Sequence, residues 1–207
     1  MKSIILASLV IVSLITLNAQ QMQEQSMKLG KSPTEITVEV EINAPIEKVW
    51  AEFANIGNIY LNSPTVAKSR SSSENKTGIG ATRHMEMSEI IKEGATFDER
   101  VIEWEEGTYQ KVEVYKMYKV PGIQTTTADF RLIEKEDKTV LRSTINYSMK
   151  NGLYGFINNL LGKKKFAKVW KSVIAGYKYH IETGEEVTEK TNLNLDAVKL
   201  ISINKVK

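Results

Sequence analysis

The chain has 207 residues, 42% hydrophobic and 26% charged, a composition that predicts one folded domain of ordinary size with extensions at its ends. Its formal charge of +3 is too small for a nucleic-acid footprint. It holds no cysteine, which excludes disulfide frameworks, thiol nucleophiles and thiolate metal sites.

The first element is an address label. Lys2 precedes an almost wholly apolar run from Ile4 to Leu17, and Asn18-Ala19-Gln20 follows. A short basic start, about a dozen apolar residues and a small residue read as a secretory signal peptide, residues 1–19. The run is short for a spanning helix, and an uncleaved N-terminal membrane anchor is the alternative. Residues 20–33 are polar and aperiodic and read as a linker.

From Thr34 to Ile42 the chain alternates, with Ile36, Val38, Val40 and Ile42 on one side and Thr37, Glu39 and Glu41 on the other. That is the period of a half-buried antiparallel strand. Asn43 is a candidate cap, and Pro45 suits a first helical turn because its missing N–H would be unpaired there. Ile46, Val49, Trp50 and Phe53 follow at helical spacing. Gly57 to Pro64 interrupts the run and leaves room for a short second helix.

Val66 to Met149 then reads as successive strands punctuated by Gly78 and Gly80, Glu93-Gly94, Glu106-Gly107, Pro121-Gly122 and Asp137-Lys138. With no helix between them, these strands predict an antiparallel sheet. Leu153 to Ile181 reads as one long helix with a broad apolar stripe through Phe166, Val169, Trp170, Val173 and Tyr177. Gly162 is a candidate kink and Gly184 a natural stop. The lysines Lys163 to Lys165, Lys168 and Lys171 lie mostly off the stripe and read as a solvated face. Residues 185–207 form a C-terminal tail with three open readings: a frayed end, an added strand or a partner segment.

This order of elements, with "VEVEINAPIEKVWAEFANIGNI" (38–59), "GIGATRHM" (78–85), "FDERVIEWEE" (97–106) and "TVLRSTINYSMKNGLYG" (139–155), resembles the START-like (SRPBCC, helix-grip) superfamily. That group includes polyketide cyclase/dehydrase and lipid-transport proteins. The apolar strand followed by A-P-x-x-x-V-W is the most specific carrier. The resemblance covers residues 34–184 and implies an α+β fold. A curved antiparallel sheet wraps a long C-terminal helix, two short helices follow the first strand, and a cavity lies between sheet and helix.

Ionisable residues in apolar strands carry the functional argument, because a charge on an apolar face is costly unless paired. Arg83 alternates with Met85 and Met87. Glu99 stands where relatives in the resembled family carry a glutamate. A two-residue turn at Glu93-Gly94 would put Arg83 and Glu99 on opposite faces, and one extra residue would put them on the same face. The resemblance implies the second register. The candidate ligand-binding residues are Arg83, Met87, Glu99, Tyr115 and Tyr147. The tyrosines are included because a ring with a polar tip suits an apolar ligand with few polar groups.

No catalytic residue, metal site or cofactor is expected. His84 and His180 are isolated, and G-x-S-x-G, H-E-x-x-H and P-loop patterns are missing. The expected function is an exported protein that binds a small apolar or lipid-like molecule in an internal cavity. Neither a nucleic-acid partner nor stable membrane insertion after signal cleavage is expected. Two other readings stay open: a polyketide cyclase/dehydratase-like enzyme, and an interaction protein whose cavity is filled by side chains. A cavity of several hundred Å3 would favour the binding and enzyme readings.

Overall fold

The computed structural model describes residues 33–120, 122–150 and 162–205. The expected signal peptide, nearly all of the linker and the stretch 153–161 of the expected long helix lie outside them. The chain order is β1 (Thr34–Ile42), α1 (Ile46–Ala54), a 3-10 turn (Ile56–Asn58) and α2 (Ile59–Asn62), followed by β2 (Val66–Ser71) and β3 (Thr82–Met87). Then come β4 (Thr96–Glu105), β5 (Tyr109–Tyr118), β6 (Ile123–Lys135), β7 (Lys138–Met149), α3 (Lys163–Thr183) and β8 (Lys199–Lys205).

The eight strands make one antiparallel sheet in the order β2-β3-β4-β5-β6-β7-β1-β8. β1 lies between β7 and the edge strand β8, and its inner residues, Ile36, Val38, Val40 and Ile42, are all buried. Its outer residues form an ionic ladder instead. Glu39 accepts from Arg142 at 2.9 and 2.7 Å, and Glu41 accepts from Lys135 and Lys138 at 2.8 and 2.9 Å. The two lysines hold the Glu41 carboxyl down to about 2.

The chain leaves β1 at Ala44-Pro45, where Pro45 has extended backbone and its carbonyl accepts from Lys48 and Val49. Pro45 is therefore the residue flanking α1 rather than its first helical residue. Asn43 is not a cap, since Pro45 holds that position without a side-chain cap bond; the Asn43 backbone N–H donates to Glu182 Oε1 at 2.6 Å. The turn swings Val49, Trp50 and Phe53 under the sheet, and all three are buried. Phe53 stacks on Tyr177 of α3 with ring centres 4.5 Å apart, and Phe130 of β6 closes on both rings at 5.1 and 5.9 Å. This aromatic cluster joins α1, the sheet and α3.

Trp50 also meets Trp104 at 4.7 Å between ring centres. A β-bulge in β4 between Val101 and Glu103 turns Trp104 toward Trp50. One carboxylate holds both rings, with Trp50 Nε1 donating to Glu106 Oε1 at 2.8 Å and Trp104 Nε1 to Oε2 at 2.9 Å. These bonds lower the Glu106 pKa, the Trp50 bond contributing most. Trp50→Ala is expected to cost roughly 3–5 kcal/mol, the range for truncating a large buried aromatic. A denaturant melt checks it, and a loss under about 1 kcal/mol would contradict the packing.

Residues after Gly184 are not a frayed end. Val187 donates its amide to the Leu61 carbonyl at 3.0 Å, and β8 pairs with β1 as the last strand of the sheet. Of the three open readings, the added strand is the one observed.

Candidate functional site

The polar centre lies on neighbouring strands β3 and β4. Arg83 and Glu99 are directly opposite in register, and so share a face. β3 ends at Met87, where the Met87 amide donates to the Ala95 carbonyl at 2.9 Å. Residues 88–94 form the connection, with Gly94 at φ +67°. The strand pattern running on to Lys92 was misleading. Seven residues, rather than a two-residue turn or a single bulge, set the register that brings the two charges together.

Both side chains are buried, with Arg83 3% and Glu99 9% exposed. Arg83 Nε donates to Glu99 Oε2 at 2.9 Å, Nη2 donates to the same oxygen, and Nη1 donates to the Ile56 carbonyl at 3.0 Å. The Tyr177 phenol lies beside the guanidinium; burial pushes it up to about 12 against the pull of the Arg83 cation. Tyr177 therefore stays a neutral hydroxyl at physiological pH.

Arg83 and Glu99 form one wall of a partly open cavity of about 100 Å3 between the sheet and α3. The opposite wall comes from α3 through Phe166, Val169, Trp170 and Val173. Met85, Met87, Phe97, Val112 and Val114 floor it from β3 to β5. Space survives because β6 places Thr126 and Ala128 on its inner face, whereas Phe130, two residues on, also lies on that face and fills it. The volume is below the several hundred Å3 expected, and limits a ligand to at most one small ring.

Of the five candidate residues, Arg83, Met87 and Glu99 line the cavity. Tyr147 faces inward and is 1% exposed, but it stands behind the wall, stacked on Phe166 with ring centres 4.1 Å apart. Tyr115 is a correction: it is 50% exposed on the outer face of β5. Val112 and Val114 take the inward positions, so Lys111, Glu113 and Tyr115 alternate outward. A bulge between the β4 and β5 pairings makes Tyr115 the extra residue, and its ring sits under the Arg100 guanidinium at 5.6 Å.

Sequence reasoning missed most of the apolar wall. The even-numbered residues of β5 and β6 carried the signal: Val112 and Val114 alternate with charges, and Thr126 and Ala128 are small where a filled core would be large. The two histidines lie elsewhere. His84 faces outward with Nδ1 2.5 Å from Asp98 Oδ1, and His180 Nδ1 donates to the Glu185 carbonyl at 2.7 Å. No metal-ligand cluster occurs among the described residues.

A curved antiparallel sheet gripping a long helix around a small apolar cavity defines a helix-grip, START-like protein. The sequence of residues 33–182 matches the family described as polyketide cyclase / dehydrase and lipid transport, and the chain belongs to that family. Solved structures share the fold. A crystal structure of a protein from Thermus thermophilus is similar with a TM-score of 0.59 and 14% identity, over 71% of this chain and 96% of that one. A START superfamily protein from Mycobacterium smegmatis is similar with a TM-score of 0.57 and 12% identity, over 72% of this chain and 97% of that one. The XoxI protein of Bacillus cereus is similar with a TM-score of 0.55 and 13% identity, over 71% and 94% of the two chains. None of the curated proteins compared matches the chain.

Proposed function

We propose that this protein is an exported binding protein for a small, mostly apolar molecule held between the sheet and α3. One observation carries the reading: a largely apolar cavity bears a single buried ion pair, and no second carboxylate, histidine or cysteine lines it among the described residues. Acid–base chemistry on a cyclisable substrate needs a group free to move a proton at the reacting atom. Glu99, the one carboxylate among the described wall residues, is bound to Arg83 instead. Binding is therefore favoured over a cyclase or dehydratase activity. The volume of about 100 Å3 is below the several hundred Å3 that would favour binding outright, yet it is space that side chains leave unfilled, which supports binding over a filled core. The family's lipid-transport members agree with a carrier role.

Native mass spectrometry of protein purified from its host tests the binding reading. The expected spectrum shows added mass from a small molecule that is released on denaturation. A protein that is always bare, even with apolar candidates added, would contradict the reading. Export rests on Lys2 to Ala19 and has its own test: the intact mass of the same sample should match a chain beginning near Gln20. A full-length mass in the soluble cytoplasmic fraction would refute export.

A further inference from the structure

The cavity's polar end is asymmetric, and the asymmetry selects a ligand. Arg83 has five N–H donors in a fixed fork. Its Nε and Nη2 are spent on Glu99 Oε2, its Nη1 reaches the Ile56 carbonyl, and the Tyr177 phenol lies beside it. Both bonds from Arg83 to Glu99 go to one carboxylate oxygen, so Glu99 Oε1 is hydrogen-bonded to none of the described residues. Glu99 lines the cavity, and Arg83 is the only cation among the described lining residues.

We propose that the ligand is a neutral, ring-sized apolar molecule carrying a hydroxyl or comparable N–H donor, which it presents to Glu99 Oε1. The inference rests on the cavity-binding reading above and adds the polarity of the ligand. Glu99 Oε1 opens onto the cavity and has no protein donor among the described residues, so a ligand O–H or N–H can reach it and form a charge-assisted hydrogen bond there. A carboxylate or phosphate headgroup would meet the free lone pairs of Glu99 with like charge. It would also find three of the five Arg83 donors already engaged with Glu99 and Ile56. A ligand with no polar group would leave Oε1 unpaired. The volume of about 100 Å3 is smaller than the roughly 150 Å3 that one benzene fills, so the rest is at most one small ring whose edge lies at the cavity's open side.

The test is calorimetric titration of the full-length protein with phenol, toluene and benzoate, three ring-sized probes that differ in their polar group. Methyl NMR of Met85 and Met87 reports whether binding occurs in the cavity. The expected result is phenol binding at least tenfold tighter than toluene, with benzoate weakest. The double variant Arg83→Met/Glu99→Leu should lose the advantage of phenol over toluene. If the double variant does not fold, the wild-type series alone decides. Toluene equal to phenol, or benzoate the tightest, would overturn this inference and leave the cavity-binding reading standing. Failure of all three to bind or to shift the methionine methyls would overturn both.

Discussion

Gly176→Ala is expected to destabilise the protein by at least about 3 kcal/mol, the upper part of the range for forcing extra atoms into a packed core. Helix propensity alone argues the other way. Gly176 lies inside α3, and replacing a mid-helix glycine by alanine normally gains about 1 kcal/mol. Here the added methyl would stand 2.2 Å from the Asn62 carbonyl oxygen and 3.3 Å from Pro64 Cδ. The obstacle is backbone, and that backbone is held in place. Asn62 is fully buried, its side-chain amide reaches Glu52 and the Asn58 carbonyl, and the preceding Leu61 carbonyl accepts from Val187. Relief would require α3 to move away from α2, opening the Phe53–Tyr177 stack that joins α1 to α3. A urea melt decides between the two effects. A gain in stability would mean that α2 and α3 do not cross this closely.

Glu99→Ala is expected to cost roughly 3–5 kcal/mol, because it leaves Arg83 buried and uncompensated. The pair itself need not be a large net stabiliser. Desolvating two ions offsets most of their attraction, so replacing both by apolar residues of similar size is often neutral or favourable. The double variant Arg83→Met/Glu99→Leu should therefore recover most of what Glu99→Ala loses. Chemical denaturation of wild type, single and double variants checks both statements. A single variant within about 1 kcal/mol of wild type would mean that water reaches Arg83 freely. If the double variant is as unstable as the single, the Ile56 carbonyl and the Tyr177 phenol depend on Arg83 more than Glu99 does.

The two predictions share a cause that local sequence pattern reaches only in part. Strict alternation in β1 and the helical spacing of Val49, Trp50 and Phe53 are properties of consecutive residues, and both are observed as read. The pairing of Arg83 with Glu99 depends on a loop, and the glycine at position 94 marked its end without revealing its length. Tyr115 was misplaced for a related reason: an aromatic in a strand marks a strand, whereas its face follows from the neighbours Val112 and Val114. The contact between Gly176 and Asn62 joins residues far apart in the chain, and a glycine inside a helical pattern carries no label for it. Cavity size was least legible, because it depends on what Thr126 and Ala128 leave unfilled against α3.

The central claim, that an open apolar space lies between the sheet and α3 beside a buried ion pair, is tested most directly by a crystal pressurised with xenon. Xenon occupies dry apolar cavities without needing any particular chemistry from the wall. The account predicts one ordered xenon bounded by Met85, Val112, Ala128 and Trp170, with the Arg83–Glu99 bonds intact. Side chains meeting across that space with no xenon between them would contradict it.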